Sequence, residues 1–128
     1  MMSPMTGLQT STPTPEQIRL RSGGKVLLLT YPETGEVALS AEFLRVSSPS
    51  AEVRGHGRGN EVLQVGKEAV TITGIEPVGN YAVKLIFSDG HDSGLYSWDI
   101  LHEFASNHEA LWQSYLQRLH AAGHTRKA

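Results

Sequence analysis

The run Gly79-Asn80-Tyr81-Ala82-Val83-Lys84-Leu85-Ile86-Phe87-Ser88-Asp89-Gly90-His91-Asp92-Ser93-Gly94-Leu95-Tyr96-Ser97-Trp98 constrains the fold more than any other part of the chain. Gly79-Asn80 suits a tight turn, because both residue types tolerate positive φ. Tyr81 to Phe87 is strongly apolar and reads as a strand. Asp89-Gly90 turns the chain again, and His91 to Tyr96 returns as a short strand. Ser97 then fits an N-cap, with Asp99 in the first turn facing the positive end of the helix dipole. A chain with this run must build antiparallel strands that feed directly into a helix.

The remaining pattern extends that beginning. Gln17 to Arg21 alternates, Gly23-Gly24 offers a hairpin turn, and Lys25 to Tyr31 is apolar on both faces. Pro32 to Gly35 is a turn and Glu36 to Leu39 a short strand. Ser40 can cap a short helix from Ala41 to Arg45, which turns Phe43 and Leu44 to the core. Val62 to Val65 and Val70 to Ile75 read as strands, with Gly74 marking a bulge or a close backbone approach. The first C-terminal helix runs through Leu101 and Phe104. Ser106 and Glu109 form a Ser-x-x-Glu capping box for a second. Leu111, Tyr115 and Leu119 make its apolar stripe with Trp112 and Leu116, and Gly123 is a C′ terminator. The expected fold class is α+β: an antiparallel, meander-rich sheet of about six strands, a short helix after the third strand, and two C-terminal helices packed on one face. The domain is expected over 16–122. The Ser/Thr/Pro-rich stretch 1–15 reads as a disordered tail and 123–128 as a frayed one.

The 128-residue chain has no cysteine. Disulfides, thiolate metal sites, cysteine-ligated iron–sulfur clusters and a cysteine nucleophile are therefore excluded. Eleven basic and 13 acidic residues give a net charge of −2, which argues against a nucleic-acid binder. No apolar run approaches the roughly 20 residues that cross a bilayer. The N-terminal residues carry no signal pattern, so the cytoplasm is the expected compartment.

Four blocks together resemble the gamma-butyrobetaine hydroxylase-like N-terminal domain family, long known as a domain of unknown function, over Ile18 to about Phe104. The blocks are Ala41 to Arg45, Ser48 to Gly57, Val70-Thr71-Ile72 with Gly79 to Val83, and Asp89 to Trp98. The chain is most similar to small free-standing bacterial members. The resemblance implies a setting near iron–sulfur carriers of the Mrp type or near gamma-butyrobetaine and trimethyllysine hydroxylases. It does not imply their activity, because the catalytic iron of those enzymes lies in a double-stranded β-helix domain absent from this chain. In the hydroxylases this domain resembles a zinc module with three cysteines and one histidine. By that likeness the ligand positions fall at Ser48, Ser50, Val53 and His91 here, following Leu44-Arg45. Only His91 is a zinc ligand type, since neutral hydroxyls are poor zinc donors.

The candidate binding residues are Arg54, His56, Arg58, His91 and Asp92. The glycine-rich loop around His56 could meet an anion, because glycines let backbone N–H groups converge, but it lacks the Gly-Lys-Ser/Thr of a P-loop. Its plain reading is a solvated loop, and that of His91 is a packed histidine bonded to the Ser47–Asn60 loop. His91, His56 and Glu52 could form a mixed metal site if that loop folds over the strand. His120 and His124 share a helix face only if the helix continues past Gly123. His102 and His108 read as surface residues. Tyr81, Phe87, Tyr96, Trp98 and Trp112 read as core aromatics that pack helix on sheet. No Gly-x-Ser-x-Gly elbow or metal-hydrolase pattern is present. The expected role is thus a non-enzymatic accessory or adaptor domain that binds another protein, with no cofactor. An iron–sulfur carrier or an oxygenase is the partner suggested by the resemblance. The alternatives are a module binding zinc or iron through His91 and oxygen ligands, and a regulatory subunit of a separate oxygenase.

Overall fold

Residues 13–50 and 62–126 are described in the structure, a computed structural model. The element order is β1 (Gln17–Arg21), β2 (Val26–Tyr31), β3 (Gly35–Ser40), α1 (Ala41–Val46), β4 (Ile72–Val78), β5 (Ala82–Phe87), β6 (Leu95–Ser97) and α2 (Trp98–Ala121). The α+β class follows, with six strands among the described residues. The strands do not join into one sheet. They form two three-stranded antiparallel meanders, β1-β2-β3 and β4-β5-β6.

The sheets share a core because each turns one alternating face inward. Leu27, Leu29, Tyr31 and Leu39 come from the first sheet, and Ile72, Val83, Leu85, Phe87 and Tyr96 from the second. Phe43 and Leu44 of α1 and Leu101 and Phe104 of α2 complete it. The sheets approach closely at the turn between β1 and β2. There Gly24 has φ +90°, and a Cβ at that position would strike the carbonyl oxygen of Ile72. Glycine is required both by the left-handed backbone and by the missing space.

Two of the three expected caps form, and no cap bond from Ser106 is found among the described residues. Ser40 Oγ accepts from Phe43 N at 3.0 Å and Ser97 Oγ from Ile100 N at 3.2 Å. The ladder of β4 on β5 shifts register between Ile72 and Gly74, at the glycine that signals a bulge.

Other elements depart from expectation. Val62 to Val65 is not a strand: its two valines are exposed, and the Gln64 carbonyl accepts from Tyr115 Oη at 2.7 Å instead of from a ladder. The strand expected over His91 to Tyr96 is confined to Leu95–Ser97; His91 N turns back to Asp89 Oδ1 at 3.1 Å instead of joining a ladder. The two C-terminal helices are one element, interrupted by non-helical backbone at Asn107 (φ −119°, ψ 22°). That break falls one residue after Ser106, and Glu109 is engaged by Gln113 one turn on.

The α2 terminus closes on Gly123 (φ +81°). Gly123 N donates to His120 O at 3.0 Å and His124 N to Leu119 O at 2.9 Å, the paired bonds of a Schellman end. Tyr115 and Leu119 of α2 pack with Val46 in a second, smaller cluster. Among the described residues no helix is long and apolar enough to cross a membrane.

Candidate functional site

The end of α1 and the β5–β6 connection meet in a polar seat inside the fold. Helix α1 ends at Val46, and the chain beyond it carries Ser48 and Ser50 inward, both buried. The connection after β5 brings His91 against them, at 6% exposure. Ser48 Oγ lies 2.9 Å from His91 Nε2, and Ser50 N donates to the same oxygen at 3.2 Å. Ser50 Oγ and Ser93 Oγ are 2.7 Å apart. Gly94 has no room for a side chain, since a Cβ there would strike Ser48 Oγ and lie 3.2 Å from the Tyr96 ring. Tyr96 is itself fixed by its hydroxyl, which donates to Leu44 O at 2.7 Å.

Asp89 holds the other side of the seat. Its Oδ2 accepts from Arg45 Nε at 2.9 Å and from Lys67 Nζ at 2.6 Å, and its Oδ1 from His91 N at 3.1 Å. Burial works against its charge, but these hydrogen bonds outweigh it. The bonds from Lys67, the His91 backbone and Arg45 hold the carboxyl well below the usual carboxylate range. Arg45 is almost fully covered, and its Nη1 is buried with no hydrogen-bond partner among the described residues.

The structure therefore brings together three of the predicted positions, Ser48, Ser50 and His91. Asp92 is next to them but exposed. Glu52, Val53, Arg54, His56 and Arg58 lie outside the described residues. Of the predicted core aromatics, Phe87 and Tyr96 are buried and Trp98 and Trp112 half-buried, but Tyr81 is exposed. It sits just before β5, beyond the core layer. His102 and His108 are half-buried rather than surface residues, packed edge-on against Tyr31 and Phe43. His120 and His124 are exposed, with Gly123 ending the helix between them.

Sequence reasoning missed the Asp89–Arg45–Lys67 cluster and Ser93. Asp89 had a signal only as a turn residue, and nothing local pairs it with Lys67 or Arg45, 22 and 44 positions away.

The zinc implied by the resemblance does not fit these residues. The seat offers one imidazole and neutral hydroxyls, whereas zinc takes thiolate, imidazole or carboxylate. The His91 Nε2 that would face a metal is engaged by Ser48. The described residues contain no group of three His, Cys, Asp or Glu able to hold a metal ion. The Ser48–His91 distance is that of a nucleophile and its base. However, Ser48 has zero exposure, so no substrate reaches its hydroxyl while the seat is closed.

Residues 18–102 match the family described as gamma-butyrobetaine hydroxylase-like, N-terminal. The chain belongs to that family. Two proteins with solution NMR structures are similar throughout. One is 51% identical with a TM-score of 0.78, over 91% of this chain and 91% of its own. The other is 48% identical with a TM-score of 0.77, over 98% of this chain and 91% of its own. A third relative, from Acidithiobacillus ferrooxidans ATCC 23270, has a crystal structure described as a protein of unknown function in the DUF971 family. It is 33% identical with a TM-score of 0.58, over 71% of this chain and 91% of its own. No curated protein matches. The family is thus one of unknown function, and its hydroxylase-like name refers to an N-terminal unit.

Proposed function

We propose that this chain is a non-enzymatic accessory domain that recognises another protein through the surface around His91 and Asp92. The observation that carries the reading is the way the connection between β5 and β6 is held. Asp89 is fixed by two cations and the His91 N–H, the His91 ring by Ser48, and Ser93 by Ser50. Asp92 projects from this braced backbone into solvent. A braced, exposed segment loses little conformational freedom on binding, so more of the contact energy becomes affinity. Arg54, His56 and Arg58, in the chain that follows Ser50, would extend the surface. A setting in iron–sulfur or other metal-cofactor metabolism rests on family resemblance alone.

The test is capture of cellular protein on immobilised wild-type chain and on Asp92→Arg, compared by quantitative mass spectrometry. A protein enriched by wild type and lost from Asp92→Arg is the expected result. Retention of every captured protein by the variant would refute the surface. A metal-binding module using His91, His56 and Glu52 is the competing reading, favoured only by the convergence of Ser48, Ser50 and His91. Amide NMR with Zn²⁺ and then anaerobic Fe²⁺ separates the two. Saturable shifts at Ser48, Ser50 and His91, lost in His91→Ala, would replace the adaptor reading with the metal one.

A further inference from the structure

We infer that Glu42 and Trp112 form a seat for a guanidinium group, which the chain's own Arg126 occupies in this structure. The inference does not rest on the reading above, whose surface is built from other residues.

Glu42 lies in the first turn of α1, and its side chain is only 9% exposed. A carboxylate so covered is costly unless a cation faces it. Arg126 supplies that cation from beyond the Schellman end of α2. Its Nε donates to Glu42 Oε2 at 2.7 Å and its Nη2 to Oε1 at 2.6 Å, a two-pronged pairing. The guanidinium carbon also lies 5.4 Å from the centre of the Trp112 ring, within cation–π range. The two-pronged bond beside an aromatic ring selects guanidinium over ammonium, which is a point charge with no fork.

Two features make this a binding seat rather than a closed structural pair. First, the guanidinium does not fill the space. A cavity of about 460 Å³ continues beside it, walled by Val26 and Ala38 of the first sheet and by His108 and Trp112 of α2. A second cavity of about 330 Å³, lined by Glu68 and Tyr115, also touches Arg126. Arg126 thus stands between two cavities, each with a carboxylate at its wall. Second, its side chain is 35% exposed and hangs on a short segment past the helix end, so it can leave without dismantling an element. An incoming arginine would take the same two oxygens and the same ring, and its neighbouring groups would enter the open cavity. Arg126 then acts as a tethered competitor that weakens every external ligand by its own occupancy.

The test follows the Trp112 indole N–H by two-dimensional NMR. Trp98, whose indole donates to Asn80 O, is the internal reference. Acetyl-Gly-Gly-Arg-Gly-Gly-amide, the lysine counterpart and agmatine are each titrated into wild type, Arg126→Ala and the double variant Glu42→Gln/Arg126→Ala. The arginine peptide should shift the Trp112 signal saturably in Arg126→Ala, with the lysine peptide at least ~10-fold weaker. Wild type should show the same shift at roughly 10-fold higher peptide or more, because the tether competes. Glu42→Gln should abolish it. Agmatine matching the peptide identifies a small guanidinium compound as the ligand, and a tighter peptide identifies a protein arginine. Arg126→Gln and the wild-type titration at high peptide serve if Arg126→Ala does not fold. No saturable Trp112 shift in any of these proteins, or an undiminished one in the Glu42→Gln variant, would overturn the assignment.

Discussion

Replacing Asp89 by Asn tests whether one carboxylate holds the seat together. The side chain keeps its shape and one acceptor oxygen but loses its charge. Three donors converge on it, from Arg45 at 2.9 Å, Lys67 at 2.6 Å and the His91 backbone at 3.1 Å. Arg45 is the costly partner, because its side chain is 8% exposed and cannot turn to water. Breaking a fully buried pair costs about 3–5 kcal/mol. Asp89 is 24% exposed, and Lys67 can recover part of its hydration, which lowers the figure to about 2–3 kcal/mol. At roughly 4 °C per kcal/mol for a domain of this size, Tm should fall by about 8–12 °C. Urea unfolding of both proteins measures the loss, and Arg19→Ala is the control. That residue's exposed pair with Glu36 should be worth about 0.5 kcal/mol or less.

The pH dependence gives an independent check. The folded carboxyl titrates below the ordinary range, so the unfolded chain takes up the proton more readily. The stabilisation is therefore complete above the unfolded pKa near ~4 and is lost as pH falls toward the lower folded value. The gap between wild type and Asp89→Asn should be flat from about pH 5 to 8 and narrow as the solution is acidified below ~4. A stability difference under about 0.5 kcal/mol at neutral pH, or a gap that widens in acid, would refute the reasoning.

The seat makes further demands. Ser48→Ala leaves His91 Nε2 buried without its hydroxyl partner and should cost about 1–3 kcal/mol in urea unfolding, with a changed His91 ring shift by NMR. Gly94→Ala forces a methyl onto Ser48 and the Tyr96 ring, both anchored by hydrogen bonds, and should cost about 1–3 kcal/mol. Among the four tyrosines, Tyr115 should ionise late in a spectrophotometric titration. Burial, then the charges of Glu42 and Glu68, push its phenol up to about 12. The neutral phenol is the form that folding favours, so its stabilisation is present below ~10 and lost as pH rises through the folded value. Tyr115→Phe should remove that alkaline loss and, through the bond to Gln64 O, cost about 1 kcal/mol at neutral pH.

What the sequence made legible divides along a physical line. Ser40, Ser97 and Gly123 act through neighbours within a few residues, so cap and terminator could be read from spacing, and Gly74 marked its bulge by residue type alone. The apolar runs over Lys25 to Tyr31 and Tyr81 to Phe87 likewise marked the strands that supply Leu27, Leu29, Val83 and Leu85 to the core. The division into two sheets was not legible, because β3 and β4 are separated by α1 and a long connection, and no local signal states whether such strands pair. The seat was half legible: its histidine and serines were placed by family likeness, whereas Asp89 spoke only as a turn former. The Glu42–Arg126 pair was illegible for the same reason, since 84 positions separate its partners. Ser48, Ser50 and His91 converge through hydrogen bonds among their own groups. Hydrogen bonds and the Asp89 cluster therefore suffice to fix this junction. These bonds brace the connection between β5 and β6 from both sides, and that backbone carries Asp92 to the surface.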